Sequence, residues 1–176
     1  MARCYGAGDR ERGQKVVYTA MVFALGAGLI IGVIGATTSH IFLALMKTPD
    51  EVIDLSTSYL VIYFIGLPFS MIYNFGSSIM RATGDTKRPF YFLAAAGIVN
   101  VLLNLFFVIV CDMDVAGGAL ATIISQGISA VCVVIAMLRD HGVFHFRFRE
   151  IRFHGSVAKE IAIIGIPAGI QGMLFS

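Results

Sequence analysis

The sequence predicts an all-α integral membrane protein, a bundle of several crossing helices. Three observations carry this. Hydrophobic residues make up 57% of the chain and charged residues only 14%, with mean hydropathy at +0.84, against roughly 45–50% apolar and 25% charged in ordinary soluble domains. The charges also gather in short clusters. The stretches between them are long enough to cross a hydrocarbon core of roughly 30 Å, which takes about 20 helical residues. The third observation, the sidedness of the basic residues, follows from placing the spans.

Residues 1–15 are polar, with Gly6, Gly8 and Gly13 among Asp9, Arg10, Glu11 and Arg12. Charges continue where a secretory signal would turn apolar, so this stretch is expected to be a cytoplasmic interhelical loop. The first span covers residues 16–46, and its Gly28 and Gly32, four apart, would let another helix approach closely in lipid. Thr37, Thr38, Ser39 and His40 lie towards its far end, where the lone His40 is expected to be an interfacial or packed residue. The second span covers residues 53–80, with Pro68 behind Gly66 near its middle. A proline there removes a backbone bond and predicts a kink. Tyr63, Tyr73, Asn74, Ser77 and Ser78 make this span more polar than its neighbours. That fits either a cavity lining or hydrogen bonding between helices.

The turn from Arg81 to Pro89 carries Arg81, Gly84, Asp85, Lys87 and Arg88. Gly84 and Asp85 suit a tight turn in which the Asp85 carboxylate bonds nearby backbone, and Arg81 and Arg88 suit anchoring at headgroups. The third span covers residues 90–110, opening after Pro89, and the fourth covers residues 115–138, with Asp114 placed to cap it. Residues 139–156 form a basic loop in which Phe144, Phe146 and Phe148 alternate with His145, Arg147 and Arg149. In so apolar a chain this pattern points to anionic headgroups, with no nucleic acid expected. Residues 157–176 read as the start of a further membrane helix that is cut short.

With the first loop on the cytoplasmic side, alternate crossing puts Arg3, Arg10, Arg12, Lys15, Arg81, Lys87, Arg88, Arg139, Arg147, Arg149, Arg152 and Lys159 there, and Lys47 alone opposite. That split follows the positive-inside rule. One missed crossing would scatter it, so it supports the span count and a multi-pass placement in the cell membrane, with residues 1–15, 81–89 and 139–156 cytoplasmic. Cys4, Cys111 and Cys132 have no paired spacing and no His cluster beside them, so no disulfide framework, metal site or cofactor is expected. No nucleophile, base and acid converge in the sequence, so an enzyme is not expected.

The chemistry gathers in the third and fourth spans. Asn104 lies eight residues before Asp112, and Thr122 eight after Asp114, so antiparallel helices would set both about 12 Å from the outer turn. They are expected to face each other, with Asn100 and Gln126 one turn deeper and Ser125 alongside. Two readings of these stacked amides and hydroxyls stand open: interhelical hydrogen bonding, or a cation or substrate site built from convergent neutral oxygens.

These residues carry a resemblance. The Leu67-Pro68 span, the Arg81-x-x-Gly84-Asp85-Thr86-Lys87-x-Pro89 turn, Asn100 with Asn104, and Gly117-Gly118-Ala119-x-Ala121-Thr122-x-x-Ser125-Gln126 resemble the multidrug and toxic compound extrusion (MATE) family. Gly6-Ala7-Gly8-Asp9 resembles the loop before that family's third helix, and Gly165-Ile166-Pro167-Ala168-Gly169 the opening of its seventh. The resemblance implies two six-helix lobes facing each other in a V. It also implies export of amphipathic or cationic drugs by antiport against Na+ or H+. The chain would then supply helices three to six and the start of seven, its missing partners being the first two helices and the second lobe. In some members a cation site uses an acid on the first helix, an Asn and an Asp one turn apart on the fifth, and a Thr on the sixth. Asn100 and Thr122 match the Asn and the Thr. Asn104 stands where the Asp would be, and the first-helix acid lies outside these residues, so the coupling ion stays open. Alternatives are a lipid-linked oligosaccharide flippase of related architecture, or a truncated product without transport.

Overall fold

The loops expected between the first four spans are short, so these consecutive helices must run antiparallel. The structure, a computed structural model, describes residues 6–140, 155–159, 161–163 and 165. Four long helices dominate: α1 (Arg10–Leu45), α2 (Asp50–Ala82), α3 (Lys87–Leu105) and α4 (Asp114–Arg139). A single π-helical turn, Phe106–Val110, continues α3. Each of the four is long and apolar enough to cross a membrane.

Residues 10–15, expected in a loop, are the first turns of α1 instead. Local bonds explain the extension. The Asp9 carboxylate accepts the Arg12 amide hydrogen at 3.0 Å, which caps the helix. Glu11 pairs with Lys15 one turn on at 2.6 Å. The result is a helix of 36 residues, about 54 Å long and well beyond a hydrocarbon core of roughly 30 Å. Asp114 also differs from expectation. It is the first helical residue of α4, at φ +44°, and Met113 holds the capping position without a side-chain bond. With Asp112 also left-handed at φ +49°, the turn is closed by backbone, Met113 N–H donating to the Phe107 carbonyl at 3.1 Å. The expected loop over residues 139–156 and the span over residues 157–176 lie mostly outside the described residues. Within them, residues 155–159 and 161–163 are helical.

Helix α2 is central, with α1 on one side and α4 on the other, while α3 packs on α4 and barely touches α2. The buried core sits at the basic end. It joins Val17, Tyr18 and Met21 of α1, Tyr73, Ile79 and Met80 of α2, and Ala130, Val133 and Met137 of α4. At the opposite end Leu45, Met46, Ile109 and Val110 are exposed.

The α1–α2 crossing shows how the bundle manages without a hydrophobic effect in lipid. A Cβ on Gly28 would lie 2.7 Å from the Pro68 Cα, and one on Gly32 the same distance from the Phe64 carbonyl oxygen. Pro68 has no N–H to give that carbonyl, which stands four residues before it. Only glycine at position 32 leaves room for the freed oxygen, since any Cβ there would press on it. Helix α2 runs unbroken through Pro68. The hydroxyls of Thr37, Thr38 and Ser39 return to carbonyls of their own helix at 2.6–3.0 Å, as polar groups in hydrocarbon must.

Candidate functional site

The α3–α4 seam is built differently. Asn100, in the middle of α3, donates from Nδ2 to Ser125 Oγ at 3.2 Å and to Thr122 Oγ1 at 3.4 Å on α4. Each hydroxyl in turn donates to its own helix, Thr122 to the Gly118 carbonyl and Ser125 to the Thr122 carbonyl, both at 2.9 Å. Asn104 donates from Nδ2 to the Asn100 backbone carbonyl and to Asn100 Oδ1, both at 3.1 Å. The Asn100 amide is therefore used at both ends, and it locks α3 to α4.

The expected level of these residues needs correcting by one turn. Asn104 does not face Thr122; it lies beside Gly118, where an added Cβ would be 3.2 Å from Asn104 Oδ1, and Asn100 takes Thr122. Two features explain the shift. The π turn Phe106–Val110 fits more residues into a given axial length than an α-helix does, and the backbone closes back from Met113 to Phe107. Both bring Asn104 nearer the outer turn than straight counting allows.

Beside the Asn100 bonds lies a cleft of about 320 Å³, lined by Asn100, Thr122, Ser125 and Gln126, with Leu93, Ala96 and Gly97 on the α3 side. Ser129, not singled out in the sequence, also lines it and donates to the Ser125 carbonyl at 3.2 Å. The signal was available. Positions 122, 125, 126 and 129 form one stripe at helical spacing. The lining carries hydroxyls and amides and no carboxylate. Rotating the Asn100 amide by half a turn would present Oδ1 where Nδ2 now stands. A cation there would meet that oxygen together with Thr122 Oγ1 and Ser125 Oγ, a hard-ligand set without formal charge.

The remaining sequence-predicted positions lie elsewhere. Pro68 packs against Gly28 in the α1–α2 crossing. Arg81 donates back to Ser77 Oγ at 3.1 Å. Gly84 takes φ +95°, the left-handed conformation the turn requires. Asp85 accepts the Arg88 amide hydrogen at 3.2 Å through Oδ1 and meets Arg88 Nε at 3.3 Å through Oδ2, so it satisfies an amide in the first turn of α3 from just before the capping residue Thr86. Lys87 opens that helix. Tyr73, buried, ties α2 to the same turn by donating to the Pro89 carbonyl at 2.9 Å.

Comparison with known proteins bears on family and fold. The chain is 37% identical over 170 residues to the "Probable multidrug resistance protein YpnP" of Bacillus subtilis, covering 96% of this chain and 38% of that protein. It is 29% identical over 184 residues to the "Probable multidrug resistance protein YoeA" of the same organism, covering 100% of this chain and 40% of the relative. With the multidrug export protein MepA of Staphylococcus aureus it shares 24% identity over 174 residues, 99% of this chain and 39% of that one. The chain thus spans about two fifths of the length of these relatives. A solved structure described as the inward-facing conformation of a multidrug resistance MATE family transporter of the MOP superfamily superposes with a TM-score of 0.86. Identity there is 22%, over 94% of this chain and 38% of the other, so the likeness establishes the fold. The MatE family model matches residues 1–106, and the chain, with four helices long and apolar enough to cross a membrane, belongs to that family.

Proposed function

We propose that these residues form part of a secondary active exporter that moves amphipathic or cationic compounds out of the cell by antiport against Na+ or H+. The α3–α4 cleft takes the coupling cation or the polar part of the substrate. The observation that carries this reading is the Asn100 amide bridging two α4 hydroxyls beside a cleft, in a chain of a transporter family. A half-buried amide between helices is a switchable contact. Bound to hydroxyls it closes the seam, and turned toward a cation it offers oxygen and loosens the seam. Such a two-state element is what coupling an ion to alternating access needs. The charge that the cleft lacks would come from substrate, or from protein beyond these 176 residues. In the same reading the basic end, with Arg81, Lys87 and Arg88, faces the cytoplasm of the cell membrane.

The test uses the full-length protein in vesicles loaded with a fluorescent cationic drug. Efflux is followed under a Na+ gradient, a proton gradient, or neither. The reading expects export to require one of the two gradients, and export indifferent to both would contradict it.

A further inference from the structure

A second cleft, of about 510 Å³, opens between α3 and α4 at the basic end of the bundle. Arg88 and Phe92 line it from α3, Cys132, Ile135 and Arg139 from α4, and Asp140, the residue after α4, lines it as well. We propose that this cleft is a binding site for an anionic phospholipid, its phosphate held between Arg88 and Arg139 and its upper acyl chain laid along Phe92 and Ile135.

Four observations support the assignment. First, the two guanidiniums come from different helices, one in the first turn of α3 and one closing α4, so they flank one opening. Arginine's planar fork suits phosphate oxygens. Second, their donors are available for a phosphate. The Asp85 carboxylate meets Arg88 at Nε, 3.3 Å away, leaving the terminal nitrogens as further donors. Asp140, which also lines the cleft, is itself already engaged, so what the opening offers a phosphate is the open guanidinium donors and not an excess of positive charge. Third, the floor is apolar, and Ile135 is 42% exposed. A water-soluble anion would gain nothing from it, whereas an acyl chain would. Fourth, the depth is right. Phe90 and Tyr91, directly after Arg88 and Pro89, are 67% and 65% exposed, as an interfacial aromatic belt would be. Basic pockets between membrane helices at headgroup level are suited to anionic lipids.

Cys132 in the cleft is a ready reporter. The full-length protein, with Cys132 as its single cysteine, is placed in nanodiscs of phosphatidylcholine alone or with phosphatidylglycerol, and labelling by a membrane-permeant maleimide is timed. The proposal expects labelling at least threefold slower with phosphatidylglycerol. Arg88→Gln with Arg139→Gln removes the difference, while Arg88→Lys with Arg139→Lys, which keeps the charge, retains most of it. Equal rates in the two lipids would overturn the proposal, as would protection that persists in the double Gln variant. Equal protection by glycerol phosphate in phosphatidylcholine discs would show a soluble anion site in place of a lipid site. A Cys132 unreactive in both discs would mean that protein fills the cleft, which also overturns it.

Discussion

The α1–α2 and α3–α4 seams both join antiparallel helices in an apolar chain, yet they are held together in opposite ways. At α1–α2 the backbones meet, with Gly28 against Pro68 and Gly32 against the carbonyl that Pro68 frees. The hydroxyls along α1 turn inward to their own helix. At α3–α4 side chains span the gap, Asn100 to Thr122 and Ser125, and clefts of about 320 and 510 Å³ open along it. Close backbone packing has no second arrangement of similar energy, because a shift of either helix opens a void. A hydrogen-bonded seam with space beside it can exchange partners. The first seam is therefore the rigid frame, and the second is where a transport site can operate.

The sharpest way to break that contrast is Gly28→Leu, whose Cβ would lie 2.7 Å from the Pro68 Cα. Backbone cannot yield as a side chain can, so the loss of stability is expected to reach about 3 kcal/mol, read as the folded fraction in a detergent titration. A leucine accommodated there without cost would mean that the seam is not close-packed. Next comes the register of the other seam. Cysteines at Asn104 and Gly118 should cross-link about tenfold faster than cysteines at Asn104 and Thr122, since a Cβ on Gly118 falls 3.2 Å from Asn104 Oδ1. The reverse order would restore straight counting from the outer turn.

A smaller effect is expected when Asn100 itself is removed. Membrane hydrogen bonds average about 0.6 kcal/mol, so Asn100→Ala, which gives up the bonds to Thr122 and Ser125, should lower stability by only about 1 kcal/mol. Thermal unfolding checks this, and a loss as large as that of Gly28→Leu would make Asn100 part of the frame. The smallest effect has the opposite sign. Thr19 is fully buried among the core residues of α1, and its hydroxyl has no partner among the described residues. Thr19→Val, nearly isosteric, should raise stability by up to about 1 kcal/mol. A loss in the same unfolding assay would mean that the hydroxyl bonds something outside the described residues.

Much of this contrast was legible in the sequence, for identifiable reasons. Spans show themselves because crossing a membrane forbids charge for about 20 residues, and Asn100, Asn104, Thr122, Ser125 and Gln126 stand out because amides and hydroxyls are costly there. The Gly28–Gly32 spacing announces a close crossing. Three things could not be read. The π turn leaves no mark in the Phe106–Val110 run of apolar residues, yet it helps set which rung Asn104 occupies. The order of helices, with α2 central and α3 at the edge, is hidden because lipid-facing and buried positions are both apolar. The early start of α1 rests on Asp9 and the Glu11–Lys15 pair, polar residues that also suit a loop.

The central claim is that the α3–α4 amide–hydroxyl cleft is a working part and not a fastening. The most direct test is the ion dependence of drug efflux by the full-length protein, with and without Asn100→Ala, in vesicles matched for folded protein. The account predicts that the variant folds and that the ion concentration for half-maximal export rises at least tenfold. An unchanged ion dependence at an unchanged rate would contradict it and leave Asn100 with packing alone.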